Sequence, residues 1–156
     1  MSRLDPATLG RRLDDLLGTG ERLIRGVPES GMDREAPTGD GRIRDVAFRL
    51  FRLGHCYADG MDTARFSDDW RSETAPDDLR DGASVARYAA LVRGRLGGWF
   101  EGASAREFAR IIGAPGGPRS GHELLAQVCA DEFALRRLAR REVPDPPLMP
   151  AGRSAR

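Results

Sequence analysis

Four stretches of about twenty residues repeat their apolar side chains every three or four positions, a spacing that lines up one face of an α-helix. The first, Pro6 to Arg25, places Leu9, Leu13, Leu16, Leu17, Leu23 and Ile24 on one stripe, with Asp5 as N-cap and Pro6 at the first helical position. The second, Arg42 to Thr63, runs through Ile43, Val46, Leu50, Leu53, Tyr57 and Met61. The third, Gly82 to Glu101, carries Val85, Tyr88, Ala89, Val92, Leu96 and Trp99. Gly94, Gly97 and Gly98 weaken it by about 1 kcal/mol each relative to alanine and would permit close helix approach. The fourth opens on Ser120 with Glu123 at capping-box spacing, buries Leu124, Val128, Leu135 and Leu138, and ends near Arg141 before Pro144.

No strand-length run alternates polar and apolar residues, so the expected class is all-α, an up-down four-helix bundle over residues 1–142. Pro28 to Gly41 is loop chemistry. The links Ala64 to Asp81, with Trp70 and Pro76, and Ala103 to Arg119 are long for a compact domain. The former is expected to cross an end of the bundle or cover a pocket. Residues 143–156 hold four prolines and are expected to form a flexible tail.

All 25 basic residues are arginine, balanced by 24 acidic ones interspersed among them. That pattern argues against the single-sign surface of a nucleic-acid-binding protein. No apolar run approaches the length of a membrane helix, and the first residues show no export signal, so the expectation is a cytoplasmic chain with no membrane partner. Cys56 and Cys129 lack metal-type spacing and read as two reduced thiols.

The second stretch contains Arg44-Asp45-Val46-Ala47-Phe48-Arg49-Leu50-Phe51-Arg52-Leu53, and the fourth opens Gly121-His122-Glu123-Leu124-Leu125. Together with Thr74 to Phe100, these segments resemble the DinB-like family over about Arg42 to Arg140. The resemblance implies a bundle in which three histidines, one from the second helix and two from the last, hold a divalent metal. Members with that site are similar to mycothiol- and bacillithiol-dependent transferases and isomerases. Carried over without gaps, the three positions fall on Arg49, Asp131 and Leu135, none of them histidine. Arginine stays protonated and leucine has no donor, so no metal and no other cofactor is expected.

What stands in those positions suggests an Arg49–Asp131 ion pair inside the bundle, since a buried carboxylate needs a partner. The implied function is a metal-independent enzyme of bacterial secondary metabolism acting on a small molecule. Arg49 would hold an anionic or carbonyl group, Asp131 or Glu132 would act as acid or base, and His55 is a further catalytic candidate. Cys56, Tyr57, Trp70, Tyr88, Trp99 and Leu135 are the expected pocket residues. The plain readings stand beside these: His55 as a half-exposed histidine with a local hydrogen bond, His122 as a packing or capping residue, Cys56 and the aromatics as core. Two alternatives remain open. One is a non-catalytic module that binds a small molecule or a protein. The other is a thiol-dependent metalloenzyme whose site is rearranged onto His55, Cys56, Asp131 and Glu132. Pairing of two copies into a homodimer is also left open.

Overall fold

A computed structural model describes residues 4–39 and 41–143; the tail 144–156 lies outside the described residues. The fold is all-α. Its four long helices are α1 (Pro6–Ile24), α3 (Ile43–Thr63), α4 (Gly82–Gly102) and α6 (Gly121–Glu142), each within two residues of its expected bounds. Two short helices, α2 (Glu29–Met32) and α5 (Ala105–Ala109), and a two-stranded ribbon of β1 (Ile111–Ile112) and β2 (Arg119–Ser120) occupy stretches whose composition had suggested only loop. Four- and five-residue helices are too short to show an apolar period, which is why the sequence did not reveal them.

The caps form as the sequence implies. The Asp5 carboxylate accepts the Thr8 N–H at 2.8 Å, and the Ser120 hydroxyl accepts the Glu123 N–H at 3.1 Å. The α3 seam is buried along its whole length, from Ile43 to Met61, with Leu50, Leu53 and Tyr57 fully enclosed. Fully burying side chains of this size contributes about 1.5–3 kcal/mol each.

Helix α1 packs on α4 and α6, and α3 packs on the same two. Their directions depart from an up-down arrangement. Phe48 meets Tyr88 (ring centroids 5.4 Å apart) and, further along both helices, Tyr57 meets Trp99 (6.0 Å), so α3 and α4 run parallel. Helices α1 and α6 are parallel too: the His122 ring N–H donates to the Leu4 carbonyl at 2.6 Å, and the Cys129 thiol to that of Leu9 at 3.4 Å. Parallel neighbours cannot be joined by a tight turn. The chain leaving α3 must travel back about 30 Å, the length of a 21-residue helix, before α4 begins. Residues 64–81 make that return, which accounts for their length.

Two backbone positions fix the ends of this return. Ala64 stops α3 in the left-handed region, at φ 60°. At the far end the Gly82 N–H donates to the Val27 carbonyl at 2.7 Å, and a Cβ on Gly82 would collide with the Ile24 carbonyl. Glycine is obligatory there. The glycines late in α4 have a different setting: a Cβ on Gly94, Gly97, Gly98 or Gly102 would meet nothing within 4 Å, so no close helix approach uses them.

No helix of the described residues is long and apolar enough to cross a membrane. Thermal unfolding of two alanine variants checks the close contact at the start of α4. Gly82→Ala is expected to cost more than about 2 kcal/mol through the backbone collision, whereas Gly94→Ala, in open space on the same helix, is expected to stabilise by up to about 1 kcal/mol. A wild-type melting temperature for Gly82→Ala would contradict the packing described.

Candidate functional site

Asp45, Arg49 and Arg52 sit one and two turns apart on α3, so all three project from one face. Each grips the returning chain. Asp45, only 6% exposed, accepts the Ala75 N–H at 2.8 Å and the Arg42 N–H at 3.0 Å. Arg49 Nε donates to the Glu73 carbonyl at 2.9 Å, and Arg52 Nε to the Glu73 carboxylate at 2.7 Å. Held this way, the chain makes a 3-10 turn at Asp69–Arg71 that drives Trp70 inward. The Arg71 guanidinium then lies 4.5 Å from the Trp70 ring centre and reaches Asp131 on α6, Nη2 to Oδ2, at 3.6 Å.

Beneath this turn is a solvent-open cavity of about 250 Å³ between α3 and α6. Arg49, Arg71, Asp131 and Trp70 line it together with Val46, Ala134, Leu135 and Leu138. The three positions to which the family resemblance carried the metal-binding histidines, Arg49, Asp131 and Leu135, therefore converge on one space. Their side chains do not suit a divalent ion: one carboxylate is the only anionic donor, and two guanidinium groups border the same volume. One further group faces no partner: the Trp70 indole N–H is buried and has no acceptor among the described residues.

The expected Arg49–Asp131 ion pair is not the one formed, since the guanidinium that reaches Asp131 is that of Arg71. Asp131 is also less enclosed than expected, with its side chain 29% exposed. Steps of three and four fit both 124-128-131-135-138 and 124-128-132-135-139. Burial selects Glu132 and Ala139 from the second series, along with Leu124 and Val128, and leaves Leu135 and Leu138 on the flank. Arg71 was missed because it lies in the long link, where periodicity gives no orientation; its adjacency to Trp70 was the available signal.

Glu132 is consequently a core residue, 0% exposed, with neither carboxylate oxygen hydrogen-bonded among the described residues. Burial raises its pKa well above the usual 4.5, and the neighbouring Asp131 adds to the rise. A sealed carboxyl that does not line the cavity is out of reach to act as its base.

The remaining candidates lie elsewhere. The His55 Nδ1 and the Tyr88 hydroxyl are hydrogen-bonded at 3.0 Å, and His55 Nε2 stands 3.5 Å from Asp59. Desolvation lowers the pKa of His55, while the Asp59 carboxylate counteracts it. Burial pushes the nearby Cys56 thiol up to about 11, which keeps it protonated and weakly nucleophilic. Tyr57 is fully buried, donating its hydroxyl to the Gly121 carbonyl at 3.2 Å, and Trp99 joins an aromatic cluster with Tyr57, Phe100 and Phe108. Of the expected site residues, Arg49, Asp131, Trp70 and Leu135 share the cavity; His55, Cys56, Tyr57, Tyr88, Trp99 and Glu132 do not line it. Among the described residues no three His, Cys, Asp or Glu side chains come together as metal ligands, so the rearranged site of His55, Cys56, Asp131 and Glu132 is not assembled.

Compared with protein-family models, curated proteins and solved structures, the chain matches none.

The buried carboxyl has a measurable consequence. With its folded pKa raised, Glu132 keeps its proton in the fold while the unfolded chain releases it above the ordinary glutamate range. Stability is therefore lost as pH rises from about 4.5 towards the folded value. Glu132→Gln, of the same size but unable to ionise, is expected to match the parent near pH 4 and to gain about 1.4 kcal/mol over it per pH unit above that range. Denaturant unfolding across pH checks this. A difference independent of pH would show that Glu132 does not hold its proton.

Proposed function

We propose that this chain is a four-helix bundle of DinB-like type that binds a small amphipathic anion, without a metal, in the cavity between α3 and α6. The observation carrying this reading is the meeting of two guanidinium groups, Arg49 and Arg71, with a single carboxylate, Asp131, and apolar walls around one open space. Arg71 offers the anion a charge-assisted contact, and Val46, Leu135, Leu138 and the Trp70 ring accept its apolar part. The convergence of Arg49, Asp131 and Leu135 supports the family resemblance: it is the juxtaposition expected if an ancestral metal site on the second and last helices had been replaced. Asp131 acts against the anion, both by repulsion and by competing for Arg71.

A metal-independent enzyme is the second reading, favoured by the partial exposure of Asp131 beside the cavity, where it could take a proton from a bound acid. Asp131→Asn separates the two: it tightens anion binding in a binder and abolishes turnover in an enzyme.

The test is calorimetric titration with phenylacetate as probe. Arg71 is half exposed, so Arg71→Ala is expected to keep the fold while weakening binding about tenfold, and Asp131→Asn is expected to tighten it severalfold. Unchanged affinity in Arg71→Ala, or no saturable binding by the parent, would overturn the proposal.

A further inference from the structure

A second cavity of about 510 Å³ opens between α1 and α4, the helix pair that does not line the first. Its walls are apolar: Gly10 and Leu13 on α1, Leu96, Gly97 and Phe100 on α4, and Phe108 on α5. Phe100 and Phe108 stand nearly parallel, their ring centres 6.2 Å apart and their planes 12° from parallel. The volume falls in the range of small-molecule sites.

Gly97 contributes part of this space. Its backbone angles are open to any residue, and a Cβ there would meet nothing within 4 Å, so neither strain nor packing calls for glycine at a position that weakens the helix. Gly97 therefore leaves bare backbone at the edge of the cavity.

The charges at the rim have one sign in excess. Asp14, Asp15, Glu101 and Arg11 line the mouth. Asp14 is engaged by Arg93 through two contacts of 2.8 and 3.0 Å, whereas Asp15 and Glu101 have no ion pair among the described residues. An apolar slot with an aromatic face and, once Asp14 is paired, two carboxylates against one guanidinium at its mouth complements a flat apolar body carrying positive charge. Ring faces attract cations as well as apolar surface.

We infer that the cavity between α1 and α4 binds a small planar organic cation. The body lies against the partly exposed Phe100 ring beside Gly97 and Ala103, over a floor closed by Leu13, Leu96 and Phe108, and the charge meets Asp15 and Glu101. This site is independent of the anion site between α3 and α6.

Fluorescence titration of the full chain tests it, with proflavine as the planar cation and anthracene carboxylate as an anion of similar ring size. Proflavine is expected to bind saturably and at least about tenfold more tightly than the carboxylate. Gly97→Leu fills the space with a better helix former and is expected to lower proflavine affinity at least about tenfold without lowering the melting temperature. The double variant Asp15→Asn, Glu101→Gln is expected to remove the preference between the probes. Arg71→Ala is expected to leave proflavine binding unchanged, which separates this site from the first. Absence of saturable proflavine binding, equal affinity for both probes, or unaltered affinity in Gly97→Leu would overturn the inference.

Discussion

The parallel run of α3 and α4 places one demanding requirement on this chain: a long irregular segment must be held against a helix without a ladder of its own. Asp45 meets much of it. Its two oxygens, nearly sealed from water, take one N–H from the start of α3 and one from the returning segment at Ala75. Buried amides cannot be left unpaired without a penalty of about 1–3 kcal/mol each, so this single carboxylate ties helix entry to loop path. Arg49 and Arg52 continue the attachment at Glu73. With the segment fixed there, Trp70 enters the core and Arg71 is set over the cavity beside Asp131. Remove the attachment and the cavity loses its roof, although neither Asp45 nor Arg52 lines it.

The same logic explains how far the sequence could be read. The four long helices were legible because each repeats its apolar residues over several turns, so a wrong guess at any one position is outvoted. Caps at Asp5 and Ser120 sharpened their starts. Direction was not legible: the periods of α3 and α4 are the same whether the helices run parallel or antiparallel, and only the length of the link between them hinted at a return. Within the candidate site, Arg49, Trp70, Asp131 and Leu135 were anticipated and do come together. The choice between Asp131 and Glu132 as the core carboxylate was not decidable from spacing, since helical steps of three and four admit both. Arg71 belongs to the link, where no period says which way a side chain points.

Two carboxylates adjacent in sequence thus meet opposite fates. Asp131 keeps water contact and a guanidinium partner. Glu132, one position on, is turned into the core, where burial raises its pKa well above the usual value. Burial favours its neutral form, since an ionised carboxylate at that depth would cost several kcal/mol without a partner. The polarity of this interior is therefore concentrated at one edge, around the guanidinium groups, rather than spread through the middle of the molecule.

The chain has two tryptophans, Trp70 beside the α3–α6 cavity and Trp99 in the aromatic cluster near the other cavity. Their indole N–H signals give two peaks in a nitrogen-labelled NMR spectrum, one reporting on each side of the molecule. Titration with phenylacetate is the most direct measurement of an anion site between α3 and α6. The expected result is a saturable shift of the Trp70 indole signal with Trp99 stationary, at the same midpoint as calorimetry. A stationary Trp70 signal, or a shift confined to Trp99, would contradict the assignment.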